Sequence, residues 1–532
     1  MRQYNIGVGM ETTRRIKKLN GIEYWFEETP YYDKEKKQIR HRSKYLGRNI
    51  NGQPVRMREA SPEVKKQIKG GVEAKQAYNY GNLLPALQVI DECHIDQYLS
   101  SLLSPEEVSI ILALSINRVV RPVAMHSIRT WYDGTTLYLD NPHLPLAGQQ
   151  ISELLQKIGE SDIPARFMGL FLESLGPKST LLYDITSLSS YSSLINLLEY
   201  GYNRDGVDLP QLNLGLILDT RTHTPVMYDI FPGSIVDVST LCLTQDKLEA
   251  YGVSEFTVVM DRGFFGRKNL EELLERKIAF IMPATLLLKD VKELMTDAQK
   301  DLDTMQYLRM FERETLFVKP VSFPIGTAEV RGYCYFDPKR AEHEKALMGR
   351  RLMEVKEALL KVRISNWQKA EDVVRSIARD LTQYFEWRCQ ENRLEGSIRQ
   401  NAVSQKMNKM GKYFLFYSGP FDWSSCLSIY RERDMVEKAF KELKNEIDAL
   451  PLNTHKEGTT RGFLFVSFLG LIIRMKLLKR MKEAELSENY SLEMLMLELE
   501  KVRKIKLANG TVVVSELTKM QRELLKALQI CV

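Results

Sequence analysis

EFTVVMDRGFFGRKNLEELLERKIAFIMP, residues 255–283, is the stretch from which the rest of the chain can be placed. Val258, Val259 and Met260 form a short apolar, β-prone run that reads as a buried strand. Asp261 stands at the C-terminal end of that strand, Arg262-Gly263 turns the chain, and NLEELLERK carries it into a helix before the next apolar run. Upstream, TLLYDITSLS (180–189) is another β-prone run, and its acid, Asp184, reads as lying at the strand exit. Two further apolar runs in residues 201–233 flank a polar turn near 219–224, and VSTLCLTQDKLEAYG has helical spacing. Three antiparallel-type strands, a helix and another strand make an α/β sheet. Acids at strand ends lie where open α/β sheets place ligands.

Further along, SIYRERDMVEKAFKELKNEIDAL (428–450) has helical periodicity. On one continuous helix, Tyr430, Arg433, Glu437 and Lys444 would share a face about 60° wide. Val436, Phe440, Leu443 and Ile447 would form the stripe that seats it on a core. An acid between two cations and a phenol suits a site that handles metal and phosphate, although surface helices also carry such charge pairs. KYFLFYSG (412–419) reads as a strand leading into this helix. Residues 285–413 break the strand–helix alternation. A β-prone part, TLFVKPVSFPIGTAEVRGYCYFD, precedes a charged helical part from Pro338 to Gln405, and together they read as an insertion. The tail from Ser487 reads as two helices around a hairpin, KIKLANGTVVVSELT.

At 532 residues with 44% hydrophobic residues, the chain is long enough for three or four domains with substantial cores. The longest apolar run, Phe463 to Ile473, is about half the length of a membrane span and reads as a buried helix. The start has no apolar segment followed by a cleavage site, so no secretory signal is read there. Six scattered cysteines without a C-x-x-C argue against a disulfide framework or zinc finger and for a reducing cytoplasm. Seven dispersed histidines leave carboxylates as the metal donors to consider.

The net charge is +6, but residues 1–75 hold eighteen Lys/Arg against nine Asp/Glu, which leaves the remainder near −3. Such a segment fits a polyanionic partner or a solvated basic tail. Within it, Tyr24, Trp25 and Phe26 precede an Asp-Lys-Glu-Lys-Lys turn and a basic strand ending at Gly47. The expected β-hairpin presents Lys36, Lys37, Arg40, Arg42 and Lys44 for contact with DNA phosphates. Residues 76–175 are expected to be mostly helical, with Ser104 and Glu107 forming a capping box.

Spacing alone does not single out Asp184 from Asp205, Asp208, Asp219, Asp229 and Asp237. The motifs together narrow the choice. Tyr430-x2-Arg433-x3-Glu437-x6-Lys444 resembles the Tyr-Arg-Glu-Lys signature of bacterial insertion-sequence DDE transposases. YDITSLSSYS and VVMDRGFFGRKNL are similar to the first- and second-Asp motifs of that family. GYNRDGVDLPQLNLGLILD resembles its G-x-S-(K/R)-D…DLPQ…GL stretch, with Asn203 where many members have Ser or Lys, and RGFLFVSFLGLII resembles the helix after the Glu. The resemblance spans roughly residues 20–530.

The resemblance implies an RNase H-like catalytic core in two parts, 176–284 and 414–480, interrupted by a large mixed β/helical insertion at 285–413. A basic segment (1–75) and a mostly helical DNA-binding or dimerisation region (76–175) precede it, and a small α+β module (481–532) follows. It also implies metal-dependent nicking at the element's ends and attack of the freed 3′-hydroxyl on target DNA. By the same resemblance, Asp184, Asp261 and Glu437 are ligands of two Mg²⁺ ions, with Mn²⁺ as a substitute. Tyr430, Arg433 and Lys444 contact the phosphates of the terminal inverted repeats, and Arg262 either binds DNA or braces the turn. The expected partners are double-stranded DNA and a second copy of the chain, in a bacterial cytoplasm and without a membrane. A catalytically silent or domesticated DNA-binding relative is the alternative, and a nuclease that cuts without joining is a third possibility. Trp367, Trp387 and Trp423 are candidates for stacking on a flipped base but read first as core residues. His223 and His455 read as loop residues rather than ligands.

Overall fold

The computed structural model describes residues 11–19, 22–33, 36, 38–55, 74–174, 179–192, 194–201, 208–234, 239–253, 256–326, 328–364, 369–390, 393–449, 452 and 454–530. The chain forms two compact units, one of residues 1–77 with 504–515 and one of residues 78–503 with 516–532.

In the first unit the hairpin expected from the sequence is the centre of a larger antiparallel sheet. Strands β1 (Thr13–Leu19), β2 (Ile22–Asp33), β3 (Gln38–Ile50) and β4 (Gln53–Val55) lie side by side in that order. TRRIKKL is exposed along its length, and such a charged edge strand discourages further pairing. A second sheet joins β5 (Ala74–Asn79) to the hairpin of β17 (Arg503–Leu507) and β18 (Val512–Val514), in the order β18-β17-β5. Residues 481–532 are therefore not one appended module. Their hairpin satisfies the backbone of β5, while the helices on either side of it belong to the second unit.

The second unit is built on one mixed sheet of nine strands. Its strands are β6 (Ser179–Ser189), β7 (Gln211–Asp219), β8 (Thr224–Pro232), β9 (Phe256–Val259), β10 (Ala279–Pro283), β11 (Leu308–Phe311), β12 (Glu314–Ile325), β13 (Ala328–Phe336) and β16 (Lys412–Ser418). Their order is β11-β12-β13-β16-β10-β9-β6-β7-β8. β6 runs parallel to β9 and β9 parallel to β10, whereas β6-β7-β8 and β10-β16-β13-β12-β11 pair antiparallel. Every residue of β7 is buried, so QLNLGLILD reads as a continuous run rather than an alternation.

The β-prone part of the presumed insertion, residues 315–337, extends this sheet as β12 and β13. Only the segment after it stands apart. Helices Pro338–Lys361 and Ala370–Ala378, with the hairpin of β14 (Phe385–Gln390) and β15 (Arg393–Ile398), enclose a separate core around Leu352, Leu359, Val374, Phe385 and Leu394.

The long helix Glu457–Glu483 buries Phe463 to Ile473 on all sides, as the apolar run suggested. Helix Gly148–Gly159 crosses it so closely that a Cβ on Gly462 would strike the backbone of Leu155. Phe167 meets Phe465 edge-on at 5.5 Å, so the helices of 76–175 wrap the long helix within one core. Ser104 caps its helix as expected: its Oγ accepts from the Glu107 N–H at 3.4 Å, and its own N–H donates back to Glu107 at 3.1 Å. Among the described residues no single helix is long and apolar enough to cross a membrane.

Candidate active site

Two acids are placed by strand pairing. On the parallel strands β6 and β9 the last paired positions are Leu182 and Val259, and Asp184 and Asp261 each follow two residues later. Neighbouring strands lie about 4.8 Å apart, so the two acids start from adjacent positions in the sheet. Asp184 is not at the strand exit. β6 runs on to Ser189 because Ile185 to Ser189 keep their pairing with β7. Asp184 is 4% exposed and accepts the Ile185 N–H at 2.8 Å. Asp261 leaves β9 and caps the short turn Arg262–Phe264, accepting the Arg262 N–H at 2.7 Å. Arg262 itself is exposed.

The third acid arrives on helix Asp434–Lys441, which packs on β6 and β7 through Val436, Ala439 and Phe440. The expected continuous helix is broken here. Helix Trp423–Arg431 ends before the next begins, and the junction tightens into i→i+3 turns, Arg433 N–H to Tyr430 and Val436 N–H to Arg433. Three successive charged residues at this junction are drawn to different partners. Arg431 pairs with Glu314 of β12 at 3.0 Å, and Glu432 lies 3.7 Å from His223 in the β7–β8 turn. Arg433 meets Asp261 at 3.0 Å and Glu437 at 2.7 Å. Consecutive helical side chains point about 100° apart, so these three pulls suit a junction better than one face of a helix. A second departure follows at Glu442–Glu446, a π-helical segment that carries the half-buried Lys444.

Tyr430, Arg433, Asp261 and Glu437 thus stand together. The Arg433 guanidinium lies 5.7 Å from the Tyr430 ring centre. Burial works against its charge, yet Tyr430, Asp261, Glu437 and Asp184 hold its pKa above the ordinary arginine value. Asp184 therefore shares the field of the same guanidinium. Burial raises the Tyr430 phenol, Asp261 adds to the rise, and Arg433, Arg340 and Arg262 oppose it. Arg340, at the start of the insertion's first helix, is a neighbour that the motif spacing gave no reason to choose.

Two competing acids have structural partners. Asp219 closes the β7–β8 turn by accepting from the N–H and hydroxyl of Thr222 at 2.9 and 2.7 Å. Asp229 pairs with Lys247 and accepts from Thr244. Asp205 and Asp237 lie outside the described residues. His223 is a turn residue with its pKa lowered by burial and by Lys479. His455 is exposed. Trp423 packs on Phe311 with ring centres 6.2 Å apart, and Trp387 joins the small core of the insertion. Trp367 lies outside the described residues.

The basic strand has its own geometry. Arg40, Arg42 and Lys44 alternate along β3, opposite Tyr31, Thr29 and Glu27 on β2, so all three cations share one face. Arg40 leans to Asp33 at 3.5 Å, and Arg42 lies over the Tyr31 ring at 5.7 Å. Lys36 is in the turn, its N–H donating to Asp33 at 3.2 Å, and Lys37 lies outside the described residues. β1 adds Arg14 to this face through its pairing with Glu27, a contribution legible only in the charges of TRRIKKL.

Carboxylate oxygens are the donors a hard divalent ion takes, and Asp184, Asp261 and Glu437 supply them. Among the described residues, however, no three His, Cys, Asp or Glu side chains are close enough together to hold a metal ion. The Arg433 guanidinium occupies the space between Asp261 and Glu437. The donor chemistry fits, with an arginine in place of the cation.

The model of the family described as Transposase DDE domain matches residues 176–473, more than half of the chain. No curated protein matches it. Among solved structures, the piggyBac transposase synaptic complex with hairpin DNA is 9% identical and covers 74% of this chain and 70% of its own, with a TM-score of 0.34. The Drosophila P element transposase strand transfer complex is 12% identical and covers 75% and 89%, with a TM-score of 0.17. Likenesses this slight carry no weight for the fold. Asp184, Asp261 and Glu437 all fall inside the span matched by the family model, and by that match the chain belongs to the DDE transposase family.

Proposed function

We propose that this transposase is that of a bacterial insertion sequence, binding the element's terminal inverted repeats and catalysing metal-dependent cleavage and strand transfer. What supports this reading is that Asp261 and Glu437, from different elements, both pair with Arg433, while Asp184, on the strand parallel to β9, acts on the same guanidinium through its charge. In this reading β8-β7-β6-β9-β10 is an RNase H-like core. Asp184, Asp261 and Glu437 would hold Mg²⁺, two ions with Mn²⁺ as a substitute, which when bound activates a water and stabilises the leaving oxygen. Arg433 presents a planar fork to a phosphate, Lys444 a point charge and Tyr430 a hydroxyl. Arg262, exposed beside Asp261, would meet the same strand. The β3 face of Arg40, Arg42 and Lys44, with Lys36 in its turn, contacts duplex phosphates without reading sequence, and Lys37 is assigned the same role from the sequence alone. The working form is a homodimer that pairs two ends in the cytoplasm, with no membrane involved.

The test is a cleavage and strand-transfer assay on a labelled duplex carrying the ends that flank the gene, with Mg²⁺, with EDTA and with Asp261→Ala. Metal-dependent nicks at the end and joined products, both lost in the variant, are expected. Binding without any metal-dependent cut would leave a silent DNA-binding relative. Cutting without joining would leave a nuclease.

A further inference from the structure

Arg433 is bound to the acids that the proposed function needs as ligands. Its two terminal nitrogens are divided between two carboxylates, Nη1 to Asp261 at 3.0 Å and Nη2 to Glu437 at 2.7 Å. The side chain is 17% exposed and packed against the Tyr430 ring, and ion pairs from Arg431 and Glu432 fix the junction it springs from. This guanidinium is therefore held in place between the acids.

We propose that Arg433 is a latch on the acid site: without DNA it neutralises Asp261 and Glu437 and disfavours a divalent cation, and a DNA phosphate that takes the guanidinium frees the carboxylates. The inference rests on the reading of Asp184, Asp261 and Glu437 as metal ligands. A cation and a guanidinium compete for the same charge and lone pairs, and each carboxylate oxygen that accepts an N–H is less available as a ligand. A phosphate offers the fork two oxygens in matching geometry, so Arg433 can exchange carboxylates for phosphate with its hydrogen bonds conserved. The exchange links two binding events. If DNA raises the affinity for metal, metal raises the affinity for DNA by the same factor. Such a link would keep a metal-loaded nuclease site from forming away from DNA.

The test titrates Mn²⁺, followed by its electron paramagnetic resonance signal, into the full-length chain with and without the end duplex. Wild type alone is expected to bind weakly, and the duplex to tighten binding roughly tenfold, within the usual range for coupled sites. Arg433→Gln without DNA is expected to bind about as tightly as wild type with it, and to gain less from the duplex. Equal Mn²⁺ affinity for wild type and Arg433→Gln, or a wild-type affinity unmoved by the duplex, would overturn the latch. The wild-type arm does not depend on how the variant folds. Glu437→Gln separates the two readings. If it weakens Mn²⁺ binding while Arg433→Gln changes nothing, the latch fails and the acid site stands. If no form binds Mn²⁺, both fail.

Discussion

The acid site and the basic face of β3 are both charged surfaces, built in opposite ways. Asp184, Asp261 and Glu437 are far apart in sequence; parallel strand pairing sets the first two on neighbouring strands, and a helix that returns after more than 150 residues carries Glu437 to the arginine that Asp261 also meets. Their charges are compensated locally, by Arg433 and by backbone N–H groups. Arg40, Arg42 and Lys44 are spaced by two along a single exposed strand, with a weak ion pair and a ring as their neighbours. Around the acids the fold counters charge with specific partners, whether the acid is buried, as Asp184 is, or exposed, as Glu437 is. Along β3, alternation alone is enough to gather the cations on one face. The acid site should therefore fail abruptly on substitution and the basic face by degrees.

The largest effect is expected at Asp261. Asp261→Ala should lower end cleavage by more than the roughly 10–100-fold typical of a residue that merely supports a ligand. Binding of the uncut duplex should persist, as a gel-shift titration would show. A loss no larger than that of a supporting residue would put Asp261 outside the ligand set. Next comes Arg474, 2% exposed on the long helix, which donates to Glu442 at 2.8 Å and pairs with Glu493 at 2.5 Å. Glu442 opens the π segment that carries Lys444. Arg474→Ala would leave Glu442 buried without its partner and should cost about 3–5 kcal/mol in denaturant unfolding. Arg474→Met with Glu442→Leu should recover most of that loss, because the cost arises from the charge left behind.

On the basic side the change is one of slope. If Arg40, Arg42 and Lys44 each meet a phosphate, replacing all three by Ala should flatten the dependence of log affinity on log salt by about 2.7. Cleavage of saturating DNA should stay as it was. A change in the cleavage rate of the bound complex would mean that these side chains do more than attract.

The contrast also explains what was legible in the sequence. The alternation in QIRHRSKYLG was enough to put Arg40, Arg42 and Lys44 on one face, because a strand's periodicity is local. The acids were chosen through motifs, since no local pattern reports that Leu182 pairs with Val259. Three features were missed for physical reasons. The extent of β6 beyond Asp184 depends on its partner β7, and the capture of 315–337 into the main sheet depends on β16 lying between β10 and β13. The break at Arg431–Arg433 depends on Glu314, His223 and Asp261, each supplied by a distant segment. Periodicity over 428–450 was right about the buried stripe and wrong about continuity. Val436, Phe440 and Leu443 would be buried with or without the break.

The smallest effect concerns how Tyr430 is carried. Helix Trp423–Arg431 begins at Asp422, whose Oδ1 accepts the Ser425 N–H at 2.8 Å and whose Oδ2 accepts from the Ser424 hydroxyl at 2.9 Å. Hydrogen bonds from Ser425, side chain first and then backbone, and from Ser424 hold the Asp422 carboxyl below its ordinary value of 3.8. Asp422→Ala should cost about 1 kcal/mol. Because the folded-state value is the depressed one, the cap's contribution is present above pH 3.8 and is lost as the pH falls through the folded value. The stability gap between wild type and Asp422→Ala should therefore be flat from neutral pH down to about 5 and close below 3.8. A gap that survives at the acid end would mean that Asp422 holds the helix by packing rather than by charge.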